Sequence, residues 1–185
     1  GAGWGVIDAT GEPKTTCHAL KRAFRPVHVG VTDEGLNGLA IHVINETPET
    51  RHLILSLASF GEGPHPLATA ERQLTLPPRS AETHSAFSLL GRFFDFAHAY
   101  RFGPAAHEVT LARLTDAASG RLVAEAVHAL PGRAATPRDI GLSASLGNDA
   151  DGPFLTITAS RLARFVTIED QGHRAADQGF CLAPG

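Results

Sequence analysis

The apolar positions of this chain change period once, early. Over residues 13–24, PKTTCHALKRAF, the residues Cys17, Leu20 and Phe24 share one helical face while Lys14, Lys21 and Arg22 fall mostly elsewhere. That spacing predicts one short helix with an apolar stripe in need of a partner. Pro13 suits its first position and Pro26 stops it after Arg25. From Val27 the period is two. Val27, Val29 and Val31 alternate with polar or small residues, and Leu39, Ile41 and Val43 repeat the pattern after a Gly-rich turn. Further strands are predicted at Leu53–Leu57, at Leu74 and Leu76, at Ser85 and Phe87, at Val109 and Leu111, and over 122–127. Pro, Gly, Asn and Asp bound each of them. Seven short strands at this spacing predict an all-β fold, an immunoglobulin-like antiparallel β-sandwich over 26–130. Leu89–Phe94, LLGRFF, interrupts it as a single helical turn.

Residues 131–138 read as a linker, with Pro131 and Pro137 among small residues and no apolar period. Four runs follow, at 140–146, 154–159, 165–168 and 180–182. So few strands bury too little apolar surface to stand alone, so 139–185 is expected to be a second, smaller, incomplete β-sandwich, or a unit that leans on the first.

Composition narrows the function more than the fold. Hydrophobic residues are 43% and charged residues 19% of 185, as in a globular protein. The formal net charge is -3 with no basic cluster, so nucleic acid is not an expected partner. No apolar run approaches the roughly 18–20 residues of a membrane helix, and no signal-like segment opens the chain, which reads as soluble with no compartment assigned. Cys17 and Cys181 are the only cysteines, and without a C-x-x-C pair they read as two buried free thiols, with a disulfide that would close almost the whole chain as the open alternative. Methionine is absent and the chain opens on Gly1-Ala2-Gly3-Trp4, so the expectation is a segment cut from a longer polypeptide.

Several stretches together resemble the β-mannosidases of glycoside hydrolase family 2. Gly3-Trp4-Gly5-Val6-Ile7-Asp8, then Pro13-Lys14 and Leu20–Phe24, are similar to the junction where the last strand of the (β/α)8 barrel gives way to its last helix. TDEGLNGL at 32–39 and VINET at 43–47 resemble the start of the first sandwich after that barrel. LLGRFFD at 89–95 and AYRFGPAAHEV at 99–109 resemble its later strands, and FCLAPG at 180–185 resembles the start of a closing segment. The resemblance implies that 1–25 is the end of the barrel, with helix 13–24, and that the rest are support domains. It implies as partners the parent enzyme's own barrel and, through it, a glycan. The reaction would be hydrolysis of terminal β-D-mannose by two glutamates on barrel strands preceding residue 1.

No catalytic residue, cofactor or metal is therefore expected within this chain. Retaining hydrolysis needs two carboxyl groups about 5 Å apart, and the tempting pairs read otherwise. Asn45-Glu46 ends a strand before Thr47-Pro48-Glu49, as a solvated turn. Asp33-Glu34 beside Gly35 is a turn without further ligands at calcium-loop spacing. The ten histidines include no H-x-H or H-E-x-x-H pair that would nucleate a zinc site, and no G-x-S-x-G elbow is present. Trp4 is the one substrate-binding candidate: in the implied parent it would stand near the barrel mouth, or pack under the last barrel helix. Three roles follow: barrel support, a carbohydrate-binding module, or a β-sandwich that pairs with another protein through a strand edge. One Trp and one Tyr supply a glycan-binding platform poorly.

Overall fold

A computed structural model describes residues 3–130, 138–170 and 172–185. Helix α1 (Thr15–Ala23) precedes β1 (Val27–Asp33), β2 (Leu39–Asn45), β3 (Arg51–Phe60), β4 (Pro66–Leu76) and β5 (Ser80–Ser85). Then come α2 (Ala86–Leu90), β6 (Val109–Asp116) and β7 (Leu122–Ala129). The strands pair antiparallel in two sheets, β1-β2-β5 and β4-β3-β6-β7. Their alternating positions point at one another, so Val29, Leu39, Ile41 and Val43 of one sheet meet Leu53, Leu55, Leu57, Leu74, Ala112 and Leu114 of the other in a single core. This is the expected sandwich. Strand β1 lies against β7 and closes one side. At the other side β5 is an edge strand, and it turns Glu82 and His84 onto the core-side register of Val43 and Ile41. Charged groups there discourage pairing with another chain.

At the end of the sandwich where β2 finishes, Asn45 is fully buried. Its Nδ2 donates to the carbonyls of Glu49 (2.9 Å) and Pro77 (2.8 Å), with Leu76 at 3.3 Å. Its Oδ1 accepts from Thr47 N (3.1 Å) and Thr47 Oγ1 (2.7 Å). Residues 45–49 do turn as expected, but around a buried amide rather than in solvent. One side chain thus ties the end of β2 to the end of β4 in the facing sheet.

Three local expectations are corrected. Helix α1 starts at Thr15, and Pro13 precedes it in an isolated bridge with Ile7. The cause is a small hairpin: Asp8 N donates to Glu12 O (2.9 Å), Lys14 N to Val6 O (2.9 Å), and Asp8 Oδ1 accepts from Thr10 N and Glu12 N. Strand β5 occupies 80–85, and Phe87 lies on α2, which ends at Leu90 with Gly91 in a left-handed cap (φ 71°). The helical turn therefore comes earlier than LLGRFF. Phe87 is drawn inward because its ring covers Gly38, where a Cβ would meet Cζ at 2.7 Å. Third, AYRFGPAAH forms a loop, not a strand: β6 begins at Val109.

The linker expected at 131–138 lies, except for Arg138, outside the described residues. Beyond it β8 (Ser143–Asp149) and β9 (Gly152–Thr158) form one hairpin, and β10 (Ala163–Val166) pairs with β11 (Phe180–Leu182). Ala159, Ala163 and Val166 make a small core with Ile140, Ile157, Phe180 and Leu182. This unit does lean on the first: Ala183 and Leu162 pack with Phe60, Val109 and Leu111. Arg138 Nη2 reaches buried Glu108 at 2.6 Å, and Arg161 reaches Glu62 at 3.5 Å.

Two expectations for stability follow. Asn45→Ala removes the amide and leaves buried carbonyls unpaired, and is expected to cost about 2–3 kcal/mol in chemical denaturation. Burial holds His28, His107 and His128 below the usual histidine value of 6.5. The unfolded chain therefore binds more protons at mildly acid pH, so their contribution is complete above about 6.5 and fades as pH falls toward the lowered folded values. The melting temperature is expected to drop between pH 7 and pH 5, and His128→Gln to flatten that slope.

Candidate functional site

An open cleft of about 770 Å³ lies between the N-terminal hairpin and α1 on one side and residues 168–178 on the other. Helix α1 makes this contact with its polar face. Arg22 pairs with Asp177 and donates from Nη1 to Gln178 O (3.2 Å) and from Nη2 to Gly179 O (3.3 Å). His18, the one buried residue of the helix, places Nδ1 3.9 Å from Asp177 Oδ1. Residues 18 and 22 are one turn apart, so they share a face. The stripe of Cys17, Leu20 and Phe24 lies on the opposite side, with Leu20 38% and Phe24 78% exposed. The amphipathic helix is thus mounted with its apolar side outward.

Around the cleft three carboxylates sit beside basic side chains. Glu12 pairs with Arg174, Asp177 with Arg22, and Asp170 Oδ2 stands 2.7 Å from His173 Nδ1. The lowered carboxyls lie elsewhere and serve turns. Thr10's hydroxyl, with backbone N–H groups, holds Asp8 at about 2, and Ser119 lowers Asp116 in the same way. Arg138 is raised by its hydrogen bond to Glu108. Among the described residues no group of three or more His, Cys, Asp or Glu is arranged to hold a metal ion. None of the helices among the described residues is long and apolar enough to cross a membrane.

The sequence candidates scatter. Trp4 is fully exposed and does not line the cleft. Asp33 caps a turn at Gly35 N (2.8 Å), with Oδ2 3.8 Å from His128, and Glu34 accepts from Thr32 Oγ1. Cys17 and Cys181 are both free and half-buried.

A cluster that sequence reading passed over lies in the β5–β6 connection. Phe96 is fully buried, and His107 Nε2 donates to its carbonyl at 3.0 Å. From it the rings step outward: Phe87 to Phe96 at 5.9 Å, Phe93 to Phe87 at 5.9 Å, Tyr100 to Phe93 at 5.2 Å, Phe102 to Tyr100 at 5.9 Å. Tyr100 Oη donates to Leu36 O (3.0 Å). The outermost rings are open, Phe93 at 58% and Phe102 at 81%. The available signal was aromatic density without period between Gly91 and Gly103-Pro104.

No family model and no curated protein matches this chain. Solved structures do. The exo-chitosanase CsxA of Amycolatopsis orientalis matches with TM-score 0.63 at 17% identity, over 98% of this chain and 25% of that one. The exo-β-D-glucosaminidase CsxA, from a study of its inhibition by a glucosamine-configured castanospermine and an amino-australine analogue, matches with TM-score 0.63 at 18% identity, and a complex of a CsxA variant with PNP-β-D-glucosamine matches with TM-score 0.61 at 17%. Both cover the same shares of the two chains. This chain spans about a quarter of the length of the structures it matches. It has the fold of that quarter.

Proposed function

We propose that this chain is a non-catalytic β-sandwich portion of an exo-acting glycoside hydrolase, and that it braces a catalytic (β/α)8 barrel through α1. The observation that carries this reading is the inverted helix. A nine-residue helix alone is marginal in water, and here it spends its polar face on Asp177 and the carbonyls of 178–179 while its apolar stripe faces out. An outward stripe next to the segment that resembles the last barrel strand is what a helix belonging to two bodies would show. Residues 1–25 are then barrel, 26–130 and 139–185 the support domains, and 131–138 the join between them.

The substrate follows less directly. The sequence resemblance favours removal of terminal β-D-mannose, whereas the matched structures are named for chitosan and β-D-glucosamine. Common to both is a β-linked hexose taken from a chain end. In this reading the barrel supplies the acid/base and nucleophile carboxylates, and Trp4, fully exposed here, stands beside the barrel mouth where an aromatic ring can pack on a sugar.

Two measurements test the proposal. The purified chain is expected to release no nitrophenol from aryl β-D-mannoside or aryl β-D-glucosaminide; release that co-purifies with it would overturn the reading. The double substitution Leu20→Ser, Phe24→Ser is expected to leave the melting temperature of this chain within about 2 °C, since neither side chain is buried here. A loss of several degrees would mean that the stripe is used within the chain.

A further inference from the structure

We infer that His107 is an acid-sensitive latch: when neutral it closes residues 97–107 of the β5–β6 connection onto the sandwich, and in mild acid it releases them while the sandwich stays folded. Three features of the structure carry this.

First, the imidazole stands where the connection is anchored. His107 is 2% exposed, donates from Nε2 to Phe96 O (3.0 Å) and packs on the Phe94 ring at 5.0 Å. Phe96 is itself fully buried in the sandwich core. The bond from His107 therefore joins the far end of the connection to a fixed point near its start.

Second, the segment it closes is held by few other bonds. No strand lies between Leu90 and Val109. Its backbone bonds among the described residues are local, from His98 N to Asp95 O (3.2 Å) and from Gly103 N to Arg101 O (2.9 Å). Asp95 accepts from Ala99 N (2.9 Å) and Tyr100 N (3.1 Å), and Tyr100 Oη donates to Leu36 O (3.0 Å). His98 (φ 52°) and Arg101 (φ 54°) hold left-handed backbone, whose strain opening relieves. Such a segment opens locally at lower cost than the paired sheets.

Third, the surroundings of the closed ring oppose a second proton. With Nε2 donating to a carbonyl, the neutral ring carries its hydrogen there, and acid must place another on Nδ1. The Phe96 carbonyl and Asp95 favour the charged ring; His128 of β7 and His98 oppose it. Behind it, His128 has Nδ1 buried without a hydrogen-bond partner and Nε2 3.8 Å from Asp33 Oδ2 of β1. Thr110 of β6, opposite His128, is bonded to Ser59 (2.8 Å), and the adjacent Glu108 pairs with Arg138 at 2.6 Å. Burial outweighs the favourable contacts and holds His107 below 6.5. Released into water the ring regains its usual value, so the open segment binds more protons than the closed one. The latch is therefore at full strength above about pH 6.5 and weakens as pH falls toward the lowered value of the closed ring.

Hydrogen exchange of the chain at pH 7.5 and 5.5, read by mass spectrometry and corrected for the intrinsic pH dependence of amide exchange, tests the inference. Protection over 97–106 is expected to fall severalfold, with about tenfold the ceiling for one imidazole of open value 6.5. Protection over 45–50, a turn without histidine, is expected to stay constant. His107→Gln keeps an N–H for the Phe96 carbonyl and has no proton to gain, so it abolishes the fall. His98→Gln removes a neighbour and leaves the latch, so it keeps the fall. Constant protection of 97–106 in the unsubstituted chain overturns the inference, as does a fall that survives His107→Gln. An equal fall over 45–50 also overturns it, because the whole sandwich would then be loosening. None of these outcomes depends on the support role or on turnover.

Discussion

Everything in this molecule is hung on the burial of two sheet faces against each other. Each sheet has one apolar face, and neither could remain in water; packed together they remove Val29, Ile41, Val43, Leu53, Leu55 and Leu114 almost completely from solvent. At the usual worth of a buried aliphatic side chain, 1.5–3 kcal/mol each, this outweighs any single polar contact. What hydrophobic burial lacks is direction. The Asn45 amide supplies it at one end of the sandwich, because its donors and acceptor suit only one placement of the ends of β2 and β4.

The remaining parts are attached to that unit by different physics. The 143–182 strands add only a handful of buried small residues, and an isolated two-stranded hairpin such as β8–β9 is marginal alone. Contacts of Ala183 and Leu162 with Phe60, Val109 and Leu111, and the Arg138–Glu108 pair, fasten this unit to the sandwich. Glu108 is 5% exposed. Helix α1 is held by charge and backbone carbonyls, which fix its orientation and leave its apolar side unspent. The β5–β6 connection is fastened from within: His107 and Phe96 anchor its base, and the rings climb outward from there.

These attachments give the chain two outward-facing apolar features at opposite ends of β1, one helical and one aromatic. The paired carboxylates between α1 and residues 168–178 hold the molecule together. Leu20 and Phe24 form the helical feature and Phe93 and Phe102 the aromatic one, all four exposed.

Alternation fixed the strands from sequence alone. Val27–Val31, Leu39–Val43 and Leu53–Leu57 have no other way to bury their side chains, and their number and turn spacing fixed the sandwich. The helix and its apolar stripe were equally legible from a 3.6-residue period. Which way the stripe faces was not, because it depends on Asp177, more than 150 residues away in the chain. Nor could the sequence place Phe87, whose helical position depends on the space over Gly38, or show that Asn45 is buried, since an Asn-Glu-Thr-Pro turn reads as solvated until β4 arrives to cover it. Phe93, Tyr100 and Phe102 carry no period at all, and only the fold of the loop gathers them. Local patterns encode which face of an element avoids water; what covers that face, or leaves it open, is a question of long-range packing that tertiary structure alone decides.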